Sequence, residues 1–207
     1  MNRQNIQYFT AFDGSRCIAE GGLVEVIIKV KEKIDIGEAL SVLIFDGISS
    51  DLVEVDFRGT KEDVLKSLGN STALENNQET IYRGPGRPKL GVIPREVTLL
   101  PRHWEWLNSQ PGGASVALRK LVEEARRMNS DRDQLRTAQE AVYRFMSAMA
   151  GDLPGFEEAA RALFAVTSEK FNEIVTTWPD DIRKHVQQLS GSIFNKKPSV
   201  VEGHFVE

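Results

Sequence analysis

The sequence predicts an α+β protein with a small N-terminal ββα-ββα domain, a central strand-helix-helix unit and a C-terminal helical region. Three observations lead to this prediction. Residues 1–68 hold short strand-like runs around two Asp-Gly turns. Residues 94–129 hold one alternating run and two helical patterns that a Pro-Gly-Gly turn separates. Residues 130–190 repeat apolar residues at helical spacing.

The N-terminal domain contains a pseudo-repeat. Tyr8–Gly14 (YFTAFDG) recurs in outline as Ser41–Gly47 (SVLIFDG), and each Asp-Gly favours a tight hairpin turn because glycine accepts a positive φ angle. We expect second strands at Arg16–Glu20 and Leu52–Phe57, and a helix after each strand pair. The first helix is predicted over Leu23–Ile34, and the helices are expected on one face of the sheet.

Residues 69–93 are predicted to be a linker, because Pro85 and Pro88 exclude a helix or an inner strand around the basic GRPK segment. Residues 130–190 are predicted to be helical, with breaks at Gly151-Asp152 and Pro179. The apolar positions expected in that core are Leu135, Ala138, Val142, Phe145, Met146, Met149, Phe156, Ala159, Ala160, Leu163, Phe164, Phe171, Ile174, Val175, Ile182, Val186 and Leu189. Residues 191–207 are expected to form a flexible tail.

The central unit, residues 94–129, begins with a strand-like run. Arg95–Leu100 alternates, which places Val97 and Leu99 on one face of the predicted strand. Pro101 can open a helix at its first position, where its missing N–H does no harm. Trp104 shares a helix face with the leucine three residues later.

A second helix is predicted after Pro111-Gly112-Gly113. Its apolar residues follow the i, i+3, i+4, i+7 rule at Leu118, Leu121, Val122 and Ala125. Arg126 and Arg127 are expected to end it, where positive charge suits the helix dipole.

A lone strand leaves its backbone groups unpaired, so a second copy of the chain is expected to supply the partner strand. The order strand, proline, helix, glycine turn and basic helix resembles the ribbon-helix-helix DNA-binding fold, in which two chains form one antiparallel ribbon. The resemblance implies a homodimer with Val97, Leu99 and Trp104 at the dimer interface.

The wider sequence resembles DUF2239, a bacterial family of unknown function. The resemblance rests on Gly86–Gly91 (GRPKLG), Arg95–Leu107 (REVTLLPRHWEWL) and Gln110–Arg119 (QPGGASVALR). It supports the organisation of the chain and implies no activity.

Charge is distributed unevenly along the chain. Arg83 to Arg136 contains eleven Lys/Arg and six Asp/Glu, a local charge of +5, whereas the remaining residues hold 15 basic and 24 acidic side chains, or −9. A basic centre between acidic flanks indicates a site for a polyanion such as duplex DNA. A chance fluctuation that the flanks neutralise is the alternative.

The GRPK segment resembles the core of an AT-hook, a short extended peptide that binds the minor groove of A·T-rich DNA. Glycine allows close approach, proline keeps the chain extended, and the narrow groove attracts Arg87. Arg83 and Lys89 supply flanking charge, but Pro85 stands where the motif has a second arginine. An exposed basic linker is the alternative interpretation.

Five further residues are predicted to contact DNA. The ribbon of the resembled fold enters the major groove, where Thr98 would meet bases and Arg95 lies at the strand entry. Ser115 begins the second helix, where amides can bind a phosphate, and an ordinary N-cap is its alternative role. Arg119 and Lys120 follow one turn later.

Several function classes find no support. The single cysteine, Cys17, excludes an intrachain disulfide, and three histidines give no zinc-ligand spacing, so no metal or cofactor is expected. The first residues lack the apolar stretch of a signal peptide, and no apolar run approaches a membrane span, so we expect a cytoplasmic protein without a membrane contact. No catalytic motif stands out, and we predict that the chain is not an enzyme.

Three functions therefore remain in play. The leading hypothesis is a DNA-binding transcriptional regulator that acts as a homodimer. The second is a module for dimerisation or binding of a protein partner without nucleic acid, which Glu96 and Leu100 on the outer ribbon face favour. The third, an enzyme with an unrecognised site, would need a deep polar pocket in the N-terminal domain.

Overall fold

A computed structural model describes residues 7–38, 41–75, 93 and 95–195. For residues 69–75 the description covers the backbone alone. The chain divides into two compact units. The first unit combines residues 1–73 with residues 134–207, and the second unit comprises residues 74–133. The sequence instead predicted separate N-terminal and C-terminal domains.

The first unit contains a three-stranded antiparallel sheet, β1 (Phe9–Asp13), β2 (Arg16–Gly21) and β3 (Val42–Asp46), in the order β2-β1-β3. The first Asp-Gly forms the predicted hairpin, because Asp13 pairs with Arg16 and the turn residue Gly14 has a φ of +55°. β1 lies in the middle of this sheet, so both of its edges are hydrogen-bonded.

The predicted strand at Leu52–Phe57 is wrong. Only Leu52 bridges to Phe45, and the amide of Val53 donates to the carbonyl of Ile44 at 2.8 Å. Alternate residues of this stretch, Val53, Val55 and Phe57, still pack against the core without a continuous ladder. The alternating pattern therefore predicted correctly which side chains of this extended segment are buried. It did not predict whether the backbone of the segment pairs with another strand.

Two helices follow the strands, α1 (Leu23–Asp35) and α2 (Lys61–Glu75). Thr60 and Asp63 cap α2 reciprocally, since the Asp63 carboxylate accepts the Thr60 amide at 3.0 Å and the Thr60 hydroxyl accepts the Asp63 amide at 3.3 Å. The predicted linker began at residue 69, but α2 continues to Glu75. One face of the sheet packs on α1 and α2 through Phe9, Ala11, Ala19, Val26, Ile27, Val30, Ile44 and Val64.

The opposite face of the sheet packs on the C-terminal helices, which corrects the expectation of helices on one face only. Phe12 and Phe45 lie against Phe145, with ring centroids 5.3 and 5.0 Å away. This second core explains why the sheet and the C-terminal helices form one unit.

The C-terminal helices are α5 (Phe156–Phe164), α6 (Ser168–Val175) and α7 (Asp180–Phe194), and the end of a long helix described below precedes them. The predicted break at Gly151 is confirmed, and most of the predicted apolar stripe is buried. Phe164 is instead half exposed. The tail was predicted from residue 191, but α7 continues to Phe194 and buries Ile193.

Candidate nucleic-acid and dimer interface

The second unit contains the helix-turn-helix segment that the sequence singled out. Helix α3 (Pro101–Ser109) has proline at its first position, as predicted. The Leu100 carbonyl accepts the amides of His103 at 2.8 Å and Trp104 at 3.3 Å, so the first turn forms without a side-chain cap.

A tight turn of positive φ angles separates the two helices. Gly112 and Gly113 have φ angles of +88° and +74°, which L side chains rarely adopt. A Cβ atom on Gly112 would also lie 3.1 Å from the Cβ of Val116. The predicted glycine turn is therefore confirmed.

The next helix, α4 (Gly113–Ala150), is one continuous element of 38 residues. The predicted end at Arg126-Arg127 is wrong, because the helix continues to Ala150. No glycine or proline interrupts residues 114–150. Asn129 does not end the helix either, because its side-chain amide bonds back to the Ala125 carbonyl at 2.8 Å.

Residues 95–100, the predicted ribbon strand, are outside any strand in the single chain. A strand needs a hydrogen-bonded neighbour, so the ribbon remains a prediction about a second copy. Of the two side chains predicted on the inner ribbon face, Val97 is 53% exposed and Leu99 is partly buried. Trp104, predicted at the core or dimer interface, is also exposed, whereas Leu107 is buried.

The predicted DNA-contacting residues that the structure describes are all exposed. Arg95 and Thr98 lie in the segment before α3. Ser115 lies inside the first turn of α4, so it is not the N-cap. Arg119 and Lys120 follow on the next turn of α4. Arg83, Arg87 and Lys89 lie outside the described residues.

A polar cluster in the first unit was missed by sequence reasoning. The Tyr8 hydroxyl donates to a Glu20 carboxylate oxygen at 2.7 Å, the Cys17 Sγ lies 3.5 Å from the other oxygen, and the Cys17 amide donates to Asp181 at 3.0 Å. Burial, followed by Glu20, raises the pKa of Tyr8 and the pKa of Cys17 to about 12. Cys17 is thus a thiol near neutral pH, and the cluster joins β2 to α7.

His185 of α7 is the other missed residue. It is 5% exposed, and its ring lies 4.4 Å from Phe145 and 5.5 Å from Phe12 by centroid distance. Within the described part of the chain, its Nε2 atom has no hydrogen-bond partner. Burial lowers the pKa of His185, which favours the neutral imidazole.

The first unit also has an open groove of about 660 Å³, lined by Gln7, Phe9, Gly22, Leu23, Val24, Glu25, Ile28 and Lys29. Its lining is mainly apolar. Among the described residues, no group of three or more acidic, histidine or cysteine side chains could hold a metal ion. None of the described helices combines the length and apolar character needed to cross a membrane.

One of three comparisons with known proteins found a match. A search of curated proteins and a search of solved structures found no match. The model of one family, "Uncharacterized protein conserved in bacteria (DUF2239)", matches residues 8–190. The match spans the sheet, helices α1 to α6 and most of α7. The chain therefore belongs to the DUF2239 family.

Proposed function

We propose that this chain is a DNA-binding regulator that acts as a homodimer through residues 95–128. The observation that supports this most is the apolar surface of the second unit. Its exposed large apolar side chains are Ile93, Val97, Leu100, Trp104, Trp106, Leu121, Val122 and Met128. A group of large exposed apolar side chains in one unit favours an interaction surface there.

A second copy would cover the ribbon segment. Two antiparallel copies of residues 95–100 would satisfy each other's backbone groups and place Val97 and Leu99 towards the helices. Thr98 would then face outwards on the ribbon, which has the width to enter a DNA major groove. The order of α3, the glycine turn and α4 supports this proposal, because it matches the order of elements in the resembled fold.

Basic side chains around the ribbon would contact the phosphates. Arg95 lies at the strand entry, and Arg119 and Lys120 lie one turn into α4. In a dimer these residues occur twice, which doubles the number of phosphates that they neutralise. The preference for A·T-rich duplex, predicted from Arg87, adds to this proposal.

The test is a titration of the full chain with A·T-rich and G·C-rich duplexes at several salt concentrations. The plot of log K against log salt has a negative slope. The double variant Arg119→Gln, Lys120→Gln should reduce the magnitude of that slope by about 3 to 4, since a dimer loses four cations. Lys170→Gln, an exposed lysine of the first unit, is the control and should keep the wild-type slope.

Binding that is absent at low salt, or that does not respond to salt, would remove the DNA proposal. It would favour the second candidate, a dimerisation or protein-binding module without nucleic acid. Two observations favour that candidate: Glu96 and Leu100 are exposed beside Thr98, and residues 95–133 contain seven basic and six acidic side chains. A dimer that does not bind either duplex would establish it.

A further inference from the structure

The middle of α4 is helical without burying a single side chain. Within this fully described helix, no side chain between Ala117 and Gln139 is buried, and nearly all those of residues 119–134 are exposed. At a rise of about 1.5 Å per residue, about 33 Å of helix separate the two buried residues. The division of the chain into two compact units falls in the same stretch, between residues 133 and 134.

The C-terminal part of the same helix is stabilised by burial. Val142, Phe145 and Met146 lie in the core of the first unit with no exposed surface. The Gln139 side-chain amide also donates to the Leu163 carbonyl at 3.0 Å. Helices in proteins gain most of their stability from packing of this kind. The two parts of α4 therefore share one backbone helix but differ in what stabilises it.

The local sequence does not compensate for the missing burial. Four of the five residues from Asn129 to Asp133 are Asn, Ser or Asp, which favour a helix less than alanine because their side chains compete for backbone hydrogen bonds. The Asn129 side chain does so at the Ala125 carbonyl, at 2.8 Å. The ion pair of Arg126 with Glu123, at 3.5 Å, has side chains 77% and 71% exposed, and such exposed pairs stabilise little.

We propose that residues 119–134 of α4 open and close as a separate helix–coil segment while the packed end of the helix stays folded. Opening this segment disrupts only exposed helical turns, whereas opening residues 141–149 requires the core of the first unit to unfold. The weakest point is the run from Asn129 to Asp133.

Such a segment is a conformational switch. A ligand or partner that binds the closed helix shifts the equilibrium towards it, and its apparent affinity falls with the fraction of chains that are open. This inference concerns the single chain, so it goes beyond the proposed function and requires neither DNA binding nor a homodimer.

Amide hydrogen exchange of the full chain, followed by mass spectrometry of proteolytic fragments, tests the proposal. Relative to unfolded rates, the amides of residues 119–134 should exchange at least about a hundredfold faster than those of residues 141–149. The measurement is repeated after about a hundredfold dilution, because self-association that covered the helix would make its protection depend on concentration. Fast exchange in the dilute sample is the expected result. Exchange as slow as that of residues 141–149 at both concentrations would overturn the proposal.

One substitution at two exposed alanines distinguishes a separate segment from a helix that opens as a whole. Ala125 lies in the middle of α4, and Ala148 lies in its packed end. Glycine in place of alanine disfavours a helix by about fivefold. Ala125→Gly should therefore speed exchange of residues 119–134 about fivefold and leave residues 141–149 unchanged. Ala148→Gly should do the reverse. If each variant accelerates both parts alike, α4 opens as one unit and the separate segment is refuted.

A helix-promoting substitution should change exchange in the other direction. Asn129→Ala removes the competing side chain and should slow exchange of residues 119–134 about threefold, since alanine favours a helix more than asparagine does. A damaged fold cannot produce this result, because loss of structure speeds exchange. Unchanged or faster exchange in Asn129→Ala would contradict an opening that is centred on the run from Asn129 to Asp133.

Discussion

At the scale of single residues, His185 is a buried titratable side chain whose protonation depends on its packing. Phe12 of β1 and Phe145 of α4 enclose its ring, and the Nε2 atom has no hydrogen-bond partner among the described residues. The charge that acts on it comes from Glu20 of β2, which favours protonation less strongly than burial opposes it. A proton on this imidazole would thus be buried without adequate compensation.

The stability of the first unit should therefore fall in mild acid. The unfolded histidine takes up a proton as the pH falls through about 6.5, whereas burial holds the folded pKa lower. The stability linked to His185 is fully present above pH 6.5. It is lost as the pH falls from 6.5 to the folded pKa of His185, by at most about 1.4 kcal/mol per pH unit. We expect His185→Leu to remove this loss in urea unfolding at pH 7.5 and pH 5.5.

His103, an exposed histidine of α3, provides the matched control. His103→Leu should keep the wild-type dependence on pH. If His185→Leu and the wild type lose the same free energy of unfolding between the two pH values, the buried imidazole is not the group responsible.

The roles of residues that depend on their sequence neighbours could be predicted. The roles that depend on contacts with residues far away in the sequence could not. Asp46 was predicted as a turn residue, and its carboxylate accepts the amides of Ile48 and Ser49 at 2.8 Å each. The surroundings of His185 depend on Phe12, which lies far away in the chain. No local pattern could indicate that packing.

At the scale of elements, periodicity predicted α1 and the helices of the C-terminal region, and the first Asp-Gly turn predicted the hairpin. It failed where an alternating segment packed without pairing, at Leu52–Phe57, and where a polar stretch continued a helix through Asn129. The backbone hydrogen bonds of a segment depend on which other segment lies beside it in the fold. A single sequence does not indicate that neighbour. The loop after β3 shows the consequence, because it contacts the residue before β1 and no local pattern indicates that contact.

That contact is made by Gly47. Its amide donates to the Tyr8 carbonyl at 2.7 Å, and a Cβ atom on Gly47 would lie 2.7 Å from the same oxygen. Because the obstructing atom belongs to the backbone, it cannot rotate away. We expect Gly47→Ala to lower the free energy of unfolding by about 1–3 kcal/mol, measured by urea denaturation.

A second glycine of the first unit should respond with the opposite sign. Gly191 lies within α7, and an added Cβ would make only an ordinary contact of 3.6 Å with the Asn195 side chain. Gly191→Ala should raise the free energy of unfolding by about 0.5–1 kcal/mol, since alanine favours a helix. Equal effects of the two substitutions would show that the Gly47 contact does not constrain the sheet.

At the scale of the whole molecule, the division of the chain could not be predicted from composition. The first unit joins residues from both ends of the sequence, because Phe12 and Phe45 pack with side chains from α4 onwards. The sequence did indicate the segment that forms the second unit's helices. The sequence could not show that apolar residues of this unit are uncovered. The structure shows that the single chain leaves them exposed.

The ribbon prediction belongs to this scale, because it concerns two copies. In the single chain Val97 is exposed, so Val97→Asp should cost little within a monomer. In a ribbon dimer the same carboxylate would be buried twice without a partner, which costs several kcal/mol at each position. We therefore expect Val97→Asp to raise the dimer dissociation constant at least about a hundredfold in sedimentation measurements.

Thr98→Asp is the matched control, since the neighbouring residue points to the opposite face of the predicted strand. It should keep most of the dimer, losing at most about 1 kcal/mol from like charges across the ribbon, and should weaken DNA binding because it adds negative charge at the major-groove face. Thermal unfolding followed by helical circular dichroism verifies that both variants remain folded. If the two substitutions weaken dimerisation equally, the alternation of residues 95–100 does not define an inner and an outer face. If neither affects it, the copies associate elsewhere, and the ribbon must be abandoned.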